Sequence, residues 1–442
     1  MTYTDIGTYG AEVVPDLCDA SANPESVCPF SDRSIDENAL GAELFPEATP
    51  HPQIGRYLAT YAGAVAEGEY RALGSSGGLV TWLLSQMLNA GIVDGVAHVR
   101  PREPTKDDDR LFAFALSHTA KDLREGSKSR YYPVEMSQVL TEIAGRPGRY
   151  AVVGVPCFIK AVRLLQRQQP KFAERISVTI GLVCGHLKSA AFAQFLAWQM
   201  GVHPDSLKAI DFRFKLEDQP ANKYGVRVWS RQGIEPVTTA TSELFGSNWG
   251  LGLFKYRACD FCDDVLAETA DVSVGDAWLS RYVQDSRGTN VVVARTTAIT
   301  QILSKGTLSG ALILDEISAD DVAASQTAGL RHRREGLAYR LWRYHHDGIW
   351  HPSKRVIPSR QQGGGLRPKI YTLREELAIR SHTAFREAKE QRDVKRVRLA
   401  LDPWLRAYEK AYRPNGLRTL TRRLVRWLPI RIRKLARRLW MR

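Results

Sequence analysis

"RYAVVGVPCFIKAVRLLQRQQPKFAERISVTIGLVCGH", Arg149 to His186, decides the fold. "YAVVGV" and "ISVTIGLV" are short apolar runs rich in β-branched residues and read as buried strands. "FIKAVRLLQRQ" between them reads as a helix. Strand, helix and strand in succession build a sheet with parallel portions. A cysteine follows each strand, Cys157 and Cys184. Parallel neighbours would bring both to one edge of the sheet.

The alternation continues outward. From Leu79 the apolar positions Leu79, Leu83, Leu84, Met87 and Leu88 recur at helical spacing and stop at Gly91. "GIVDGVAHVR" and "RLFAFALSH" read as strands, and "MSQVLTEIAG" and "AAFAQFLAWQMG" as helices. After about residue 205 the pattern changes to short strands joined by turns: "AIDFRFK", "GVRVWS", "ADVSVGDAW" and "TNVVVART". The expected fold class is α/β, a mixed sheet core with a more β-rich second subdomain and a helical basic C-terminal tail. Residues 1–70 read as a loop-rich segment and "QQGGGLRP", residues 361–368, as a hinge. No internal repeat is present.

The 442 residues suit two or three domains. No apolar run approaches the ~20 residues of a membrane span. The first thirty residues lack the basic start and apolar stretch of a secretory signal, so the cytoplasm is the expected location. The net charge of +14 is unevenly spread: residues 331–442 carry 31 Lys+Arg against 9 Asp+Glu, a net of +22, which leaves −8 for the rest. Such a tail points to an anionic surface. In "LRTLTRRLVRWLPIRIRKLARRLWMR", Leu417, Leu420, Leu424, Trp427 and Leu428 make one apolar face, and Ile432, Leu435 and Leu439 a second after Pro429. This is the pattern of a helix lying in a membrane interface. No recognised nucleic-acid module accompanies it, so lipid is the expected peripheral partner rather than a specific nucleic acid. A helix packed on the protein's own core is the alternative.

Six cysteines are present, and a cytosolic chain of this size uses them as metal ligands or catalysts more often than as disulfides. Cys259 and Cys262 form a CxxC in "YRACDFCDDV", before another strand. If that loop folds over the edge holding Cys157 and Cys184, four thiolates converge, a set suited to zinc or to an iron–sulfur cluster. Spacing does not choose between them, and Cys157 and Cys184 also fit as small buried hydrophobes.

A second motif lies in "RALGSSGGLVTWLLSQMLNAG", Arg71 to Gly91. Gly74-Ser75-Ser76-Gly77-Gly78 fits three structures: a nucleophile elbow with Ser76 attacking, a cofactor cradle at a helix start, or a serine-capped helix. The elbow needs a buried strand running into the turn, and "AEGEYRALG" is too polar for one. Gly77 and Gly78 permit close backbone approach, and the helix from Leu79 offers free N–H groups.

"GSSGGLVTWLL", "SKSRYYPV", "VVGVPCFIKAVRLL", "IGLVCGH", "CDFCDDVLAETADVSVGDAWL" and "NVVVART" occur in this order. Together they resemble the family of coenzyme F₄₂₀ hydrogenase/dehydrogenase beta subunits across roughly residues 50–335. The resemblance implies an iron–sulfur flavoprotein oxidoreductase that carries FAD and one 4Fe–4S cluster, with Cys157, Cys184, Cys259 and Cys262 as cluster ligands. It implies that Ser75, Ser76, Gly77 and Gly78 lie against the flavin and that Lys128, Ser129 and Tyr131 flank it. It divides the chain into residues 1–70, a flavin-side domain at 71–155, a cysteine-bearing domain at 156–335 and the basic tail at 336–442. Ferredoxin or a redox subunit would exchange electrons with the cluster, and F₄₂₀ or NAD(P)H would exchange hydride. Many bacterial members accompany polysaccharide-synthesis genes, which suggests polysaccharide or lipid-linked sugar biosynthesis as the setting.

One departure stands out. Where many relatives carry a ferredoxin-like cysteine run, "DLCDASANPESVCPF" keeps only Cys18 and Cys28, so a second cluster is not expected. His186 is a candidate proton donor. Asp271 and Asp276, around the Gly of "ADVSVGDAW", are candidates to orient a flavin hydroxyl or substrate, or simply to cap turns; Asp276 is the one taken as catalytic. Trp278 could stack on a ring or sit in the core. The competing function is non-redox: a zinc-stabilised nucleotide- or sugar-binding protein that assembles a polysaccharide complex.

Overall fold

The computed structural model describes residues 1–11, 23–105, 108–233, 235–361 and 364–413. Its principal strands are β1 (Ala59–Val65), β2 (Gly95–Pro101), β3 (Phe112–Ser117), β4 (Tyr150–Gly154), β5 (Ile176–Leu182), β6 (Leu207–Phe214), β7 (Gly225–Ser230), β8 (Val237–Ala240), β9 (Val272–Asp276), β10 (Asn290–Ala294) and β11 (Leu312–Glu316). Eight of them form one sheet in the order β11-β1-β10-β9-β5-β4-β2-β3. The central strands β9, β5, β4 and β2 are parallel. β3 closes one edge antiparallel, and β10, β1 and β11 extend the other antiparallel.

The strand–helix–strand unit from Arg149 is built as its sequence indicates. β4 and β5 are parallel neighbours, Gly154 pairs with Gly181, and Leu182 pairs with Val274 of β9. The three strands therefore end at a common carboxyl edge, where α/β sheets bind ligands.

The β-rich portion is smaller than expected. β6, β7 and β8 form a separate antiparallel sheet, but "ADVSVGDAW" and "TNVVVART" return to the main sheet as β9 and β10. Every residue of β10 is buried. Such a run needs cover on both faces and a neighbour on each side, which a small three-stranded sheet does not supply.

One core cluster joins the sheet to helix α1 (Leu79–Asn89) through Leu79, Trp82, Leu83 and Met87. Residue 156 opens α2 (Pro156–Gln168), and beyond the sheet come α3 (Thr327–Arg333), α4 (Glu335–His346), α5 (Arg367–Glu390) and α6 (Lys395–Tyr412). α5 and α6 pack on the body, with Leu377, Phe385, Val397 and Leu401 in one cluster with Phe195 and Phe254. The amphipathic stretch from Leu417 to Arg442 lies outside the described residues. Among those described, no helix is long and apolar enough to cross a membrane.

Candidate active site: four cysteines beside a cleft

Each cysteine is placed by an element end. β4 runs into Pro156, the first residue of α2, where the missing N–H costs no helical hydrogen bond; Cys157 follows it. β5 ends at Leu182, and the Cys184 N–H donates to the Val265 carbonyl at 2.9 Å. Cys259 lies in a short 3₁₀ turn, Arg257–Asp260. That segment is laid along residues 184–188: Tyr256 N–H donates to the Leu187 carbonyl at 3.1 Å, and Leu187 N–H to Cys259 Sγ at 3.2 Å. Three separate stretches thus bring the four thiols within electrostatic reach of one another.

Their electrostatics report the convergence. Burial pushes Cys184 up to about 12 and Cys262 to about 11, and it raises Cys157 and Cys259 as well. On Cys157 the rise is reinforced by Cys262, Cys259 and Cys184 in turn. Arg333 pulls all four the other way. The same coupling acts on Arg333. Burial works against its charge, but the four cysteines together hold its guanidinium above its ordinary range.

The residues present fit a thiolate-bound cluster. Arg333 is only 3% exposed, and its Nη1 has no hydrogen-bond partner. A buried cation beside four neutral thiols lacks a counter-charge, and an anionic cluster would supply one. As they stand, no three His, Cys, Asp or Glu side chains among the described residues are gathered closely enough to hold a metal ion.

Beside the thiols lies a cleft of about 250 Å³ at the carboxyl edge of the parallel strands. Ser75, Ser76 and Gly78 line it, as do Lys128, Ser129 and Tyr131. So do Cys184, His186 and Asp276. Two family models match the chain: coenzyme F₄₂₀ hydrogenase/dehydrogenase beta subunit, N-terminal part, over residues 60–141, and its C-terminal part over residues 148–320.

The chain belongs to the family of coenzyme F₄₂₀ hydrogenase/dehydrogenase beta subunits.

It therefore stands among hydrogenase and dehydrogenase subunits, an oxidoreductase family. The coenzyme F₄₂₀ hydrogenase beta subunit of Methanothermobacter thermautotrophicus is 22% identical over 263 residues, 58% of this chain and 84% of that protein. A subunit of the F₄₂₀H₂ dehydrogenase of Methanosarcina mazei is 23% identical over 292 residues, 64% and 72% of the two chains. A chain in a xenon-derivatised F₄₂₀-reducing [NiFe] hydrogenase complex from Methanosarcina barkeri superposes with a TM-score of 0.51 at 17% identity, covering 70% of this chain and 99% of that one. The shared fold is what this last likeness shows.

Within this fold of the beta subunits, the Gly/Ser stretch is neither an elbow nor a serine cap. A short helix, Tyr70–Leu73, precedes it where an elbow needs a strand, and the Ser76 hydroxyl donates to the Thr289 carbonyl at 2.9 Å. The Leu79 N–H at the start of α1 donates to Asn290 Oδ1 at 3.2 Å, so Asn290 does the capping. Gly77 faces away from the cleft. A Cβ there would lie 2.7 Å from Asn290 Oδ1 and from the Gly63 carbonyl, so this glycine serves packing. Gly78 has φ +83°.

Asp276 spends both carboxylate oxygens on Arg213, at 2.9 and 3.0 Å. Arg213 also reaches Tyr131 Oη at 3.3 Å and the Ser75 carbonyl at 3.4 Å. Lys128 pairs with Asp211 at 3.1 Å. Asp271 is turned away, held by Arg163 at 2.9 Å and the Thr179 N–H at 2.7 Å. Trp278 lies with its ring 5.4 Å from the Arg213 guanidinium. His186 is buried with Nε2 unpartnered and its ring 4.4 Å from that of Trp249. Burial, aided by Lys188, Arg374, Lys255 and Arg333, keeps His186 neutral.

Three residues escaped the sequence reading. Arg213 comes from β6 of the small sheet, and Trp249 from a short 3₁₀ turn beyond it, so neither had a motif to mark it. Arg130 did have a signal, the basic "SKSR" run. It makes neither a hydrogen bond nor an ion pair among the described residues, lies 4.9 Å from the Phe112 ring, and has a buried, unpartnered Nε. Burial lowers it to about 10 against the pull of Asp211.

Proposed function

We propose that the protein is an iron–sulfur flavoprotein oxidoreductase in which Cys157, Cys184, Cys259 and Cys262 hold one 4Fe–4S cluster and the adjoining cleft holds FAD. The observation that carries this reading is the shared position of Cys184. It is one of four thiols coupled to Arg333, and it also lines the cleft with Ser75, Ser76, Lys128, Ser129 and Tyr131. A bound flavin supplies the exchange between single electrons and hydride. The chain's own residues would position it: Ser75 and Ser76 on one side, Lys128 and Ser129 on the other, and Arg130 toward the cofactor's or substrate's negative charge. Asp276 acts through Arg213 as a positioning residue. His186, a neutral imidazole with a free Nε2 at the cleft wall, would hydrogen-bond the cofactor or substrate there.

The partner on this reading is a redox subunit or a ferredoxin-type carrier; the relatives' own names as subunits support it. The anaerobic absorption spectrum tests the proposal. Flavin bands with a broad brown shoulder are expected. A colourless protein containing zinc would point instead to the non-redox assembly function.

A further inference from the structure

We infer that Arg333, at the end of α3, sets the reduction potential of the cysteine site. The inference rests on the iron–sulfur reading above. The family models match up to residue 320, and residues after that point help to cover the cysteine loop. Phe261, between Cys259 and Cys262, packs against Leu337, Leu341 and Tyr344 of α4. Arg340 Nε donates to the Asp260 carbonyl at 2.9 Å, and Lys354 pairs with Asp263 at 2.9 Å. Within this cover Arg333, the last residue of α3, is aimed at the thiols. Its Nη2 donates to the Gly185 and Cys184 carbonyls at 2.8 and 3.2 Å and lies 3.8 Å from Cys184 Sγ. Its Nη1 is buried without a partner.

Neighbouring cations are engaged elsewhere. Lys255 is paired with Asp260. Lys188 donates to the Leu253 carbonyl and lies over the Phe192 and Trp249 rings. Arg374 donates to the Trp249 and Gly250 carbonyls. Among the described residues, Arg333 is the cation that acts on all four sulfurs, and its buried Nη1 has a donor to spare. Cluster potentials follow net charge, hydrogen bonds to sulfur and solvent exposure. One-electron reduction by an added reductant such as dithionite puts one more negative charge on the cluster, with no bond broken and no proton moved. A fixed positive charge held out of solvent, as Arg333 is, favours that reduced form, so Arg333 raises the potential.

The test is a dithionite titration followed by electron paramagnetic resonance on full-length wild type, Arg333→Gln and Arg333→Lys, with iron and sulfide measured on each. Arg333→Gln should keep its cluster and lose about tenfold in the equilibrium constant for reduction, ~59 mV for one electron. Arg333→Lys, which keeps the charge, should shift less. A wild-type midpoint in a fully loaded Arg333→Gln variant would overturn the inference and leave the iron–sulfur reading intact; a wild type that takes up no iron would sink that reading itself. Should the Gln variant not fold, wild type labelled with ¹⁵N-arginine decides: nuclear coupling to the reduced cluster that vanishes in Arg333→Lys supports the inference, and no coupling ends it.

Discussion

The backbone N–H of Ser129 donates to the Ser75 hydroxyl at 2.9 Å. This one bond ties together the two stretches that sequence alone marks as flanking a cofactor, 54 residues apart. Ser75→Ala leaves the Ser129 N–H without that acceptor, a loss of about 1 kcal/mol. Flavin affinity, measured by fluorescence quenching, should weaken about fivefold with the melting temperature little changed. An unaltered affinity would show that the tie does not shape the cleft.

Arg130 should read phosphate. Arg130→Gln removes a half-buried cation with no acidic partner of its own in hydrogen-bond reach. Affinity for FAD and FMN should fall by about tenfold, as expected for a charge-assisted bond, while that for riboflavin stays near wild type. Equal losses for all three flavins would assign Arg130 to general packing.

Gly78 is required by conformation. Its φ is +83°, and an added Cβ would sit 2.5 Å from the Tyr70 carbonyl oxygen. Gly78→Ala should destabilise the protein by ~2–4 kcal/mol, read as a lower denaturant midpoint at unchanged slope. A midpoint equal to wild type would mean the turn can reshape itself.

His98 makes stability fall in mild acid. Its ring meets Ser117 Oγ at 2.8 Å, and burial, with help from Arg100, lowers its pKa from the ordinary 6.5 to about 4. The unfolded chain protonates first, so stability is full above pH 6.5 and declines as pH drops toward 4, by ~3 kcal/mol from this group. Asp122 opposes the shift and Arg130 adds to it. His98→Gln should flatten the pH dependence across that window by about one proton's worth. An unchanged slope would assign the acid sensitivity to other buried histidines, such as His332.

Much of this fold is legible in local sequence because its central strands are continuous apolar runs. "YAVVG" and "NVVVA" are buried at every position, and hydrophobic pattern alone marks such segments. Partnership was not legible. β9 and β10 read as part of a second subdomain because they follow β6 and β7 in the chain, whereas burial on both faces sends them into the main sheet. In the site, Cys157 and Cys184 were marked by their places after parallel neighbours. Arg213 and Arg333 were not, because each reaches its target from a distant element, and a lone Arg on a strand or a helix end carries no local sign of what it will face.

Four thiols from three stretches are proposed to hold an iron–sulfur cluster beside a flavin. Anaerobic reconstitution of wild type, Cys259→Ala and Cys28→Ala, with iron and acid-labile sulfide measured per chain, decides this. Wild type and Cys28→Ala should bind both in the proportion of one 4Fe–4S cluster, and Cys259→Ala should lose it. A Cys259→Ala protein with the full complement, or a wild type that retains zinc and refuses iron, would contradict the claim.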